Sequence, residues 1–169
     1  MPLYDIKFAE KVTKITDSEL LTFYIEAVIN KIERILGYKL KKATYNHKLY
    51  GVDKEYAYTI ARPLTQILQI NKDNYDITNQ CNIESERKIG LNFELCKCEY
   101  IQAKYEAGYD TLPEYIQYFI FSQVKNLVNT VNNAGIKSYS IETISYTFED
   151  TVNRNDDFIK EVRNIFGVI

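Results

Sequence analysis

The segment that most restricts how this chain folds is AKYEAGYDTLPEYIQ, residues 103 to 117. Ala103, Tyr105 and Ala107 alternate with Lys104 and Glu106, the two-residue period of a strand that buries one face. The alternation stops at Gly108, where a residue without a Cβ relieves the backbone for a turn. Thr111 and Glu114 then stand at capping-box spacing, each side chain accepting from the other's amide. Pro113 falls in the first helical turn, where its missing N–H is harmless. The segment is a strand–turn–helix joint.

The pattern on either side extends this reading. In TDSELLTFYIEAVINKIERILGY, Thr16 and Glu19 make a second capping box, and Leu20, Leu21, Tyr24, Ala27, Val28, Ile32, Ile35 and Leu36 recur at steps of three and four. Gly37 closes that helix. Residues 38 to about 108 read as a β insert. One hairpin turns at Gly51–Lys54 and another at Asn71–Asn74. A further turn lies at SERKIG, and strands alternate through Leu91, Phe93, Leu95 and through Ile101, Ala103, Tyr105. The expectation is an antiparallel meander with one apolar side.

A central helix follows from Leu112 to Asn133, with Leu112, Ile116, Phe119, Ile120, Val124, Leu127, Val128 and Val131 as its core stripe. Tyr115, Tyr118 and Phe121 lie outside that stripe, so this helix is either central in its own domain or shared with a neighbour. Residues from about 136 form an extended arm. A short helix capped by Asn155 ends the chain, with Phe158, Ile159, Val162, Ile165 and Phe166 on its apolar side. The expected fold is α+β, mainly α, in a single domain over residues 1–169.

Composition narrows the function. A net charge of -2 argues against a protein whose main task is neutralising phosphates. No segment approaches the roughly 20 apolar residues of a membrane helix, and the N-terminus lacks the zones of a signal peptide. Three cysteines, an odd count, argue against a disulfide framework and for a reducing compartment. The 15 tyrosines and 8 phenylalanines, with no tryptophan, suit either interfaces or an AT-rich genome.

The chemistry on offer is thin. His47, Cys81, Cys96 and Cys98 are the only soft ligands, and in a strand Cys96 and Cys98 would share a face. Their spacing is not that of zinc knuckles, and small buried cysteines are the plainer reading. One histidine starves acid–base catalysis, and no nucleophile elbow, phosphate loop or dinucleotide fingerprint occurs. The pairs Glu84/Glu86, Glu149/Asp150 and Asp156/Asp157 read as a solvated turn, a loop and a helix start. Lys39, Lys41 and Lys42 read first as a solubility cluster and second as phosphate contacts. The expectation is no enzyme, no metal and no cofactor.

In element order the chain resembles the head–tail connector (adaptor) family of tailed phages. The resemblance is carried by DSELLTFYIEAVINKIERILGY, by RPLTQILQI, by YEAGYDTLPEYIQYFIFSQVKNLV and by IKSYSIETISYTFED before the last helix. It implies a structural virion protein of the neck, made in the host cytoplasm. Such subunits close into a ring, commonly of twelve, that docks on the portal protein and offers a platform to a tail-side or stopper protein. DNA passes through the bore without sequence-specific binding, and no membrane is involved. Tyr115, Tyr118, Phe121, Phe158, Val162 and Phe166 are the partner-binding candidates, the last three alternatively packing on the first helix of their own subunit. The other reading is a small phage-encoded interaction module, monomer or dimer, that forms no ring.

Overall fold

The computed structural model describes residues 2–53, 55–132, 138–141, 144–147 and 151–167. Two compact units emerge: Met1–Leu3 with Gly37–Leu112, and Tyr4–Leu36 with Pro113–Ile169.

The first unit is a sheet. Among the described residues it holds β1 (Ala43–Asp53), β2 (Tyr56–Tyr58), β3 (Leu64–Lys72), β4 (Tyr75–Asp76), β5 (Cys81–Ser85), β6 (Lys88–Leu91) and β7 (Tyr100–Ala107). They pair in the order β4-β3-β7-β1-β2-β6-β5, antiparallel throughout. Asp73 and Asn74, both at positive φ, make the two-residue turn between β3 and β4. Opposite β7, β3 carries two irregularities, between Leu64 and Gln66 and between Ile67 and Gln69. Extra residues of this kind sharpen the twist and bend a strand. The sheet curls into a half-barrel. At its seam the Leu64 amide donates to the Glu86 carbonyl at 2.7 Å, so the β5–β6 turn reaches the start of β3. Leu49, Ala57, Ile70, Ile89, Ile101, Ala103 and Tyr105 line the buried side.

Three expectations are corrected here. The structure is 42% helical and 31% strand, so it is not mainly α; the segment read as an insert between helices is itself a seven-stranded sheet with strands of up to 11 residues, which balances the helices. The sheet is not a meander, because β7, last in the chain, sits between β3 and β1. The alternation Leu91, Phe93, Leu95 is not a strand: β6 ends at Leu91 and residues 92–99 form a loop. That loop is held because Gly51 has no side chain; a Cβ there would lie 2.5 Å from the Leu95 carbonyl oxygen and 2.6 Å from that of Cys96.

The second unit is helical. Among the described residues it contains α1 (Ile6–Thr13), α2 (Ser18–Leu36), α3 (Glu114–Asn132), a hairpin of β8 (Ser138–Ile141) with β9 (Ile144–Thr147), and α4 (Thr151–Phe166). Asp5 caps α1, its Oδ1 accepting from the amides of Lys7 and Phe8. Asp17, not Thr16, caps α2, accepting from Glu19 and Leu20 at 3.1 and 3.0 Å. The buried face of α2 is Leu21, Ile25, Val28, Ile29, Ile32 and Leu36. The last helix opens at Thr151, four residues before the expected Asn155 cap. The expected stop of α3 at Asn133 and Gly135 lies outside the described residues, as does Lys54 of the first hairpin turn.

Beyond β7 the opening segment takes its shape from backbone pairing. The Gly108 amide donates to the Pro63 carbonyl at 2.9 Å. The Tyr109 amide donates to Leu40 at 2.8 Å, and Lys42 returns a bond to Tyr109 at 3.0 Å. Gly108 has φ +112°, and a Cβ on it would stand 2.8 Å from the Lys42 nitrogen and 2.9 Å from the Leu40 oxygen. The turn is therefore a clamp, made of backbone on both sides. α3 starts later than the expected Thr111 cap, with the Pro113 carbonyl accepting from Ile116 and Gln117. Replacing Gly108 with Val is expected to cost on the order of 3 kcal/mol, from backbone strain plus the clash. Urea unfolding would measure it, and a midpoint equal to wild type would show that the clamp tolerates a side chain.

Candidate interaction surfaces

In the helical unit the six candidate residues divide by burial. Phe121 is 0% exposed. Its ring meets Tyr4 edge-on at 6.3 Å and Phe8 at 5.5 Å, so α1 covers it. Phe158, Val162 and Phe166 are buried as well. Phe158 stacks on Phe119 at 6.1 Å and carries Lys31 Nζ 4.4 Å from its ring centre, which ties α4 to α3 and α2. Tyr115 and Tyr118 are 62% and 58% exposed, one helical step of three apart at the start of α3. Beneath them the Gln117 side chain is buried and accepts from the Asp5 amide at 2.9 Å.

A second apolar pair escaped the sequence reading. Phe23 is 66% and Leu20 45% exposed on α2. Leu20 was expected in the core stripe, but the steps from Leu21 through Ile25, Val28 and Ile32 define a face that leaves Leu20 a quarter-turn outside it. Counting from Ile25 would have found this.

The sheet unit presents a different surface. On the outward side of β1, β7 and β3 the pairing sets Thr44, Glu106 and Gln66 in one row. Asn46, Lys104 and Gln69 form the next, and Lys48, Gln102 and Asn71 the third. Gln102 Nε2 donates to Asn46 Oδ1, and Gln69 Nε2 to Asp76 Oδ2 at 3.3 Å. Lys42 is paired with Glu106 at 3.2 Å, and Lys48 lies over the Tyr100 ring at 4.6 Å. The face is polar and rich in amides, with Tyr50 and Tyr100 in contact at one end.

The four soft ligands go to different tasks. Cys96 and Cys98 are exposed on the loop, not buried on a strand, and Cys81 donates to the Ile77 carbonyl at 3.4 Å. Burial, then the Asp76 charge, raises the Cys81 pKa to about 11, so its thiol stays protonated. Among the described residues no three His, Cys, Asp or Glu side chains group closely enough to hold a metal ion. No helix among them is long and apolar enough to cross a membrane. His47 faces the buried Tyr105, with Nδ1 2.9 Å from the hydroxyl. The Tyr105 oxygen also accepts from the Ala61 amide at 3.3 Å.

No family model and no curated protein matches the chain. Solved structures do. A chain from the neck of a native GTA particle computed with C12 symmetry matches with a TM-score of 0.52 and 12% identity, over 79% of this chain and 81% of that one. A chain from the neck of an empty GTA particle computed with C6 symmetry matches with a TM-score of 0.52 and 11% identity, over 73% and 76%. This chain shares the fold of GTA neck chains. A GTA is a gene transfer agent, a phage-like particle, and at these identities the likeness is one of fold.

Burial lowers the pKa of His47 below its usual value. The unfolded chain therefore binds this proton more readily than the folded one, and stability falls as pH drops through about 6.5, levelling off below the folded pKa. Urea midpoints at pH 7.5 and 5.5 check this: the drop is expected to be smaller in His47→Gln than in wild type, and an equal drop would assign the effect to other groups.

Proposed function

We propose that this chain is a head–tail connector subunit: a non-catalytic virion protein that closes into a ring, commonly of twelve, between the portal and the tail. The portal protein holds one side and a tail-side or stopper protein the other, and DNA runs through the bore. The observation that carries this reading is the fold shared over 79% of the chain with a chain from a neck computed with C12 symmetry. The element order of the sequence supports it independently.

A head-to-tail ring needs two different lateral surfaces on each subunit. Tyr115 and Tyr118 supply one of them in this reading. They are large aromatics left in solvent on a helix that buries Ile116, Ile120, Phe121 and Val124 and also exposes Leu127, which the sequence had placed in its core stripe, and tyrosine is enriched where protein surfaces meet. Phe121, Phe158, Val162 and Phe166 then act from within, holding α3 against α1 and α4 so that the tyrosine pair is presented on a stiff support. Assembly takes place in the host cytoplasm and the product is part of the particle.

Native mass spectrometry of the purified protein, alone and mixed with the portal ring of its own particle, tests the proposal. Wild type is expected to give a ring-sized species or to bind the portal stoichiometrically. The double variant Tyr115→Ala, Tyr118→Ala is expected to do neither while keeping its stability within about 0.5 kcal/mol, as exposed substitutions do. A wild-type monomer that ignores the portal would favour the interaction-module reading. A double variant that assembles normally would remove the tyrosine pair from the interface.

A further inference from the structure

We propose that Cys96 and Cys98 form a redox-active dithiol: a low-molecular-weight disulfide oxidises them to a disulfide across their turn, and a thiol reduces it again. One cysteine thiolate attacks a sulfur of the small disulfide, which leaves a mixed disulfide on the protein and releases one small thiol. The second cysteine then attacks the protein sulfur of that mixed disulfide, and the other small thiol leaves. The two protein thiols are oxidised, the small disulfide is reduced, and the protons pass to the released thiols.

Backbone geometry is the first argument. The Glu99 amide donates to the Cys96 carbonyl at 2.9 Å. Cys96, Lys97, Cys98 and Glu99 therefore make a reverse turn with the cysteines at its first and third positions. On a strand the two would stand about 6.8 Å apart at their Cα atoms, the outer limit for a disulfide. The turn folds that separation to about 5.5 Å, where bridged cysteines usually stand. Its seat is firm. Leu95 beside it is buried, and the Leu95 and Cys96 carbonyls lie against Gly51. The Glu99 carbonyl accepts from the Gly51 amide at 3.2 Å. The Glu99 carboxylate accepts from the Cys96 amide at 2.9 Å and pairs with Lys72 at 3.3 Å. The turn is thus tied to β1 and β3.

Access is the second argument. Cys96 and Cys98 are both exposed, and exchange requires a thiol that the small disulfide can reach. Cys81 is the contrast. It is half-buried, its thiol already donates to the Ile77 carbonyl, and its pKa is pushed up to about 11. Oxidation therefore selects the pair and spares the third cysteine. Once one member of the pair carries the mixed disulfide, the other is tethered a single residue away. Its effective concentration far exceeds that of a free thiol, so closure outruns a second adduct. With one residue between the sulfurs the closed ring is small, and it is exposed. Such a bond is of the labile kind that thiols reopen, not a framework bridge.

This inference concerns one turn of one subunit and does not rest on the connector reading. The intact protein is incubated with oxidised glutathione, alkylated, and read by intact mass and peptide mapping. Wild type is expected to lose two hydrogens, to link Cys96 to Cys98, and to keep one alkylatable thiol of its three, Cys81. Dithiothreitol is expected to restore all three. The variant Cys98→Ser is expected to stop at the mixed disulfide with glutathione retained on Cys96, and Cys81→Ser to close as wild type does. Closure of the mixed disulfide is expected to be at least about tenfold faster in the folded protein than in urea, because the turn positions the sulfurs in advance. The proposal is overturned if wild type stays fully reduced, carries glutathione on both cysteines without closing, or gives a disulfide-linked dimer as its main product. It is equally overturned if Cys98→Ser sheds its glutathione, if Cys81→Ser fails to close, or if closure is as fast in urea as in buffer.

Discussion

β7 is paired on both sides, to Ala43–Tyr50 of β1 and to Leu64–Asn71 of β3, though it is the last of the sheet's strands in the chain. The remainder of the sheet unit depends on that insertion. Closing such distant pairings costs loop entropy before any contact forms, so the buried side of β7 has to return it. Ile101, Ala103, Tyr105 and Ala107 do so as one unbroken inward row. The small alanines flank Tyr105, whose ring stacks on Tyr45 at 5.7 Å while its hydroxyl serves both His47 and the Ala61 amide. Beyond Ala107 the clamp at Gly108 fixes where the strand ends. Without β7 between them, β1 and β3 would be two separate hairpin strands, each with an open edge.

The sequence announced much of this locally and little of it globally. Period-2 alternation identifies which side of β7 is buried, but carries no information on which strands flank it, hence the expected meander. The long helices were legible because their buried faces repeat over many turns. α1 was not: eight residues are too few for a period to stand out, and its cap is a single aspartate. That omission explains Phe121. On α3 alone it lies outside the main stripe, and only the presence of Tyr4 and Phe8 turns its side of the helix into core. Phe158, Val162 and Phe166 pose the same ambiguity, since helical spacing is identical whether the face meets its own subunit or another. Leu91, Phe93 and Leu95 mimicked a strand because a loop anchored by a buried leucine also spaces its apolar residues by two.

Both units leave large apolar side chains in solvent. The helical unit spends most of its aromatic rings internally and leaves Tyr115, Tyr118 and Phe23 in solvent, which is the chemistry of protein association. The sheet unit buries Leu49, Ile70, Ile89, Ile101 and Tyr105 and leaves polar side chains together with Tyr50, Ile60, Tyr75, Ile83 and Tyr100 exposed.

The claim that β7 organises the sheet is tested most directly by hydrogen exchange in the intact protein, read peptide by peptide. Amides open locally where structure is weak and only through global unfolding where it is strongest. Peptides covering Ile101–Ala107 are expected to be the slowest of the sheet unit, with those of the edge strand β5 exchanging well before them. Exchange of the β7 peptides as fast as those of β5 would contradict the account, placing the stable centre of the unit elsewhere.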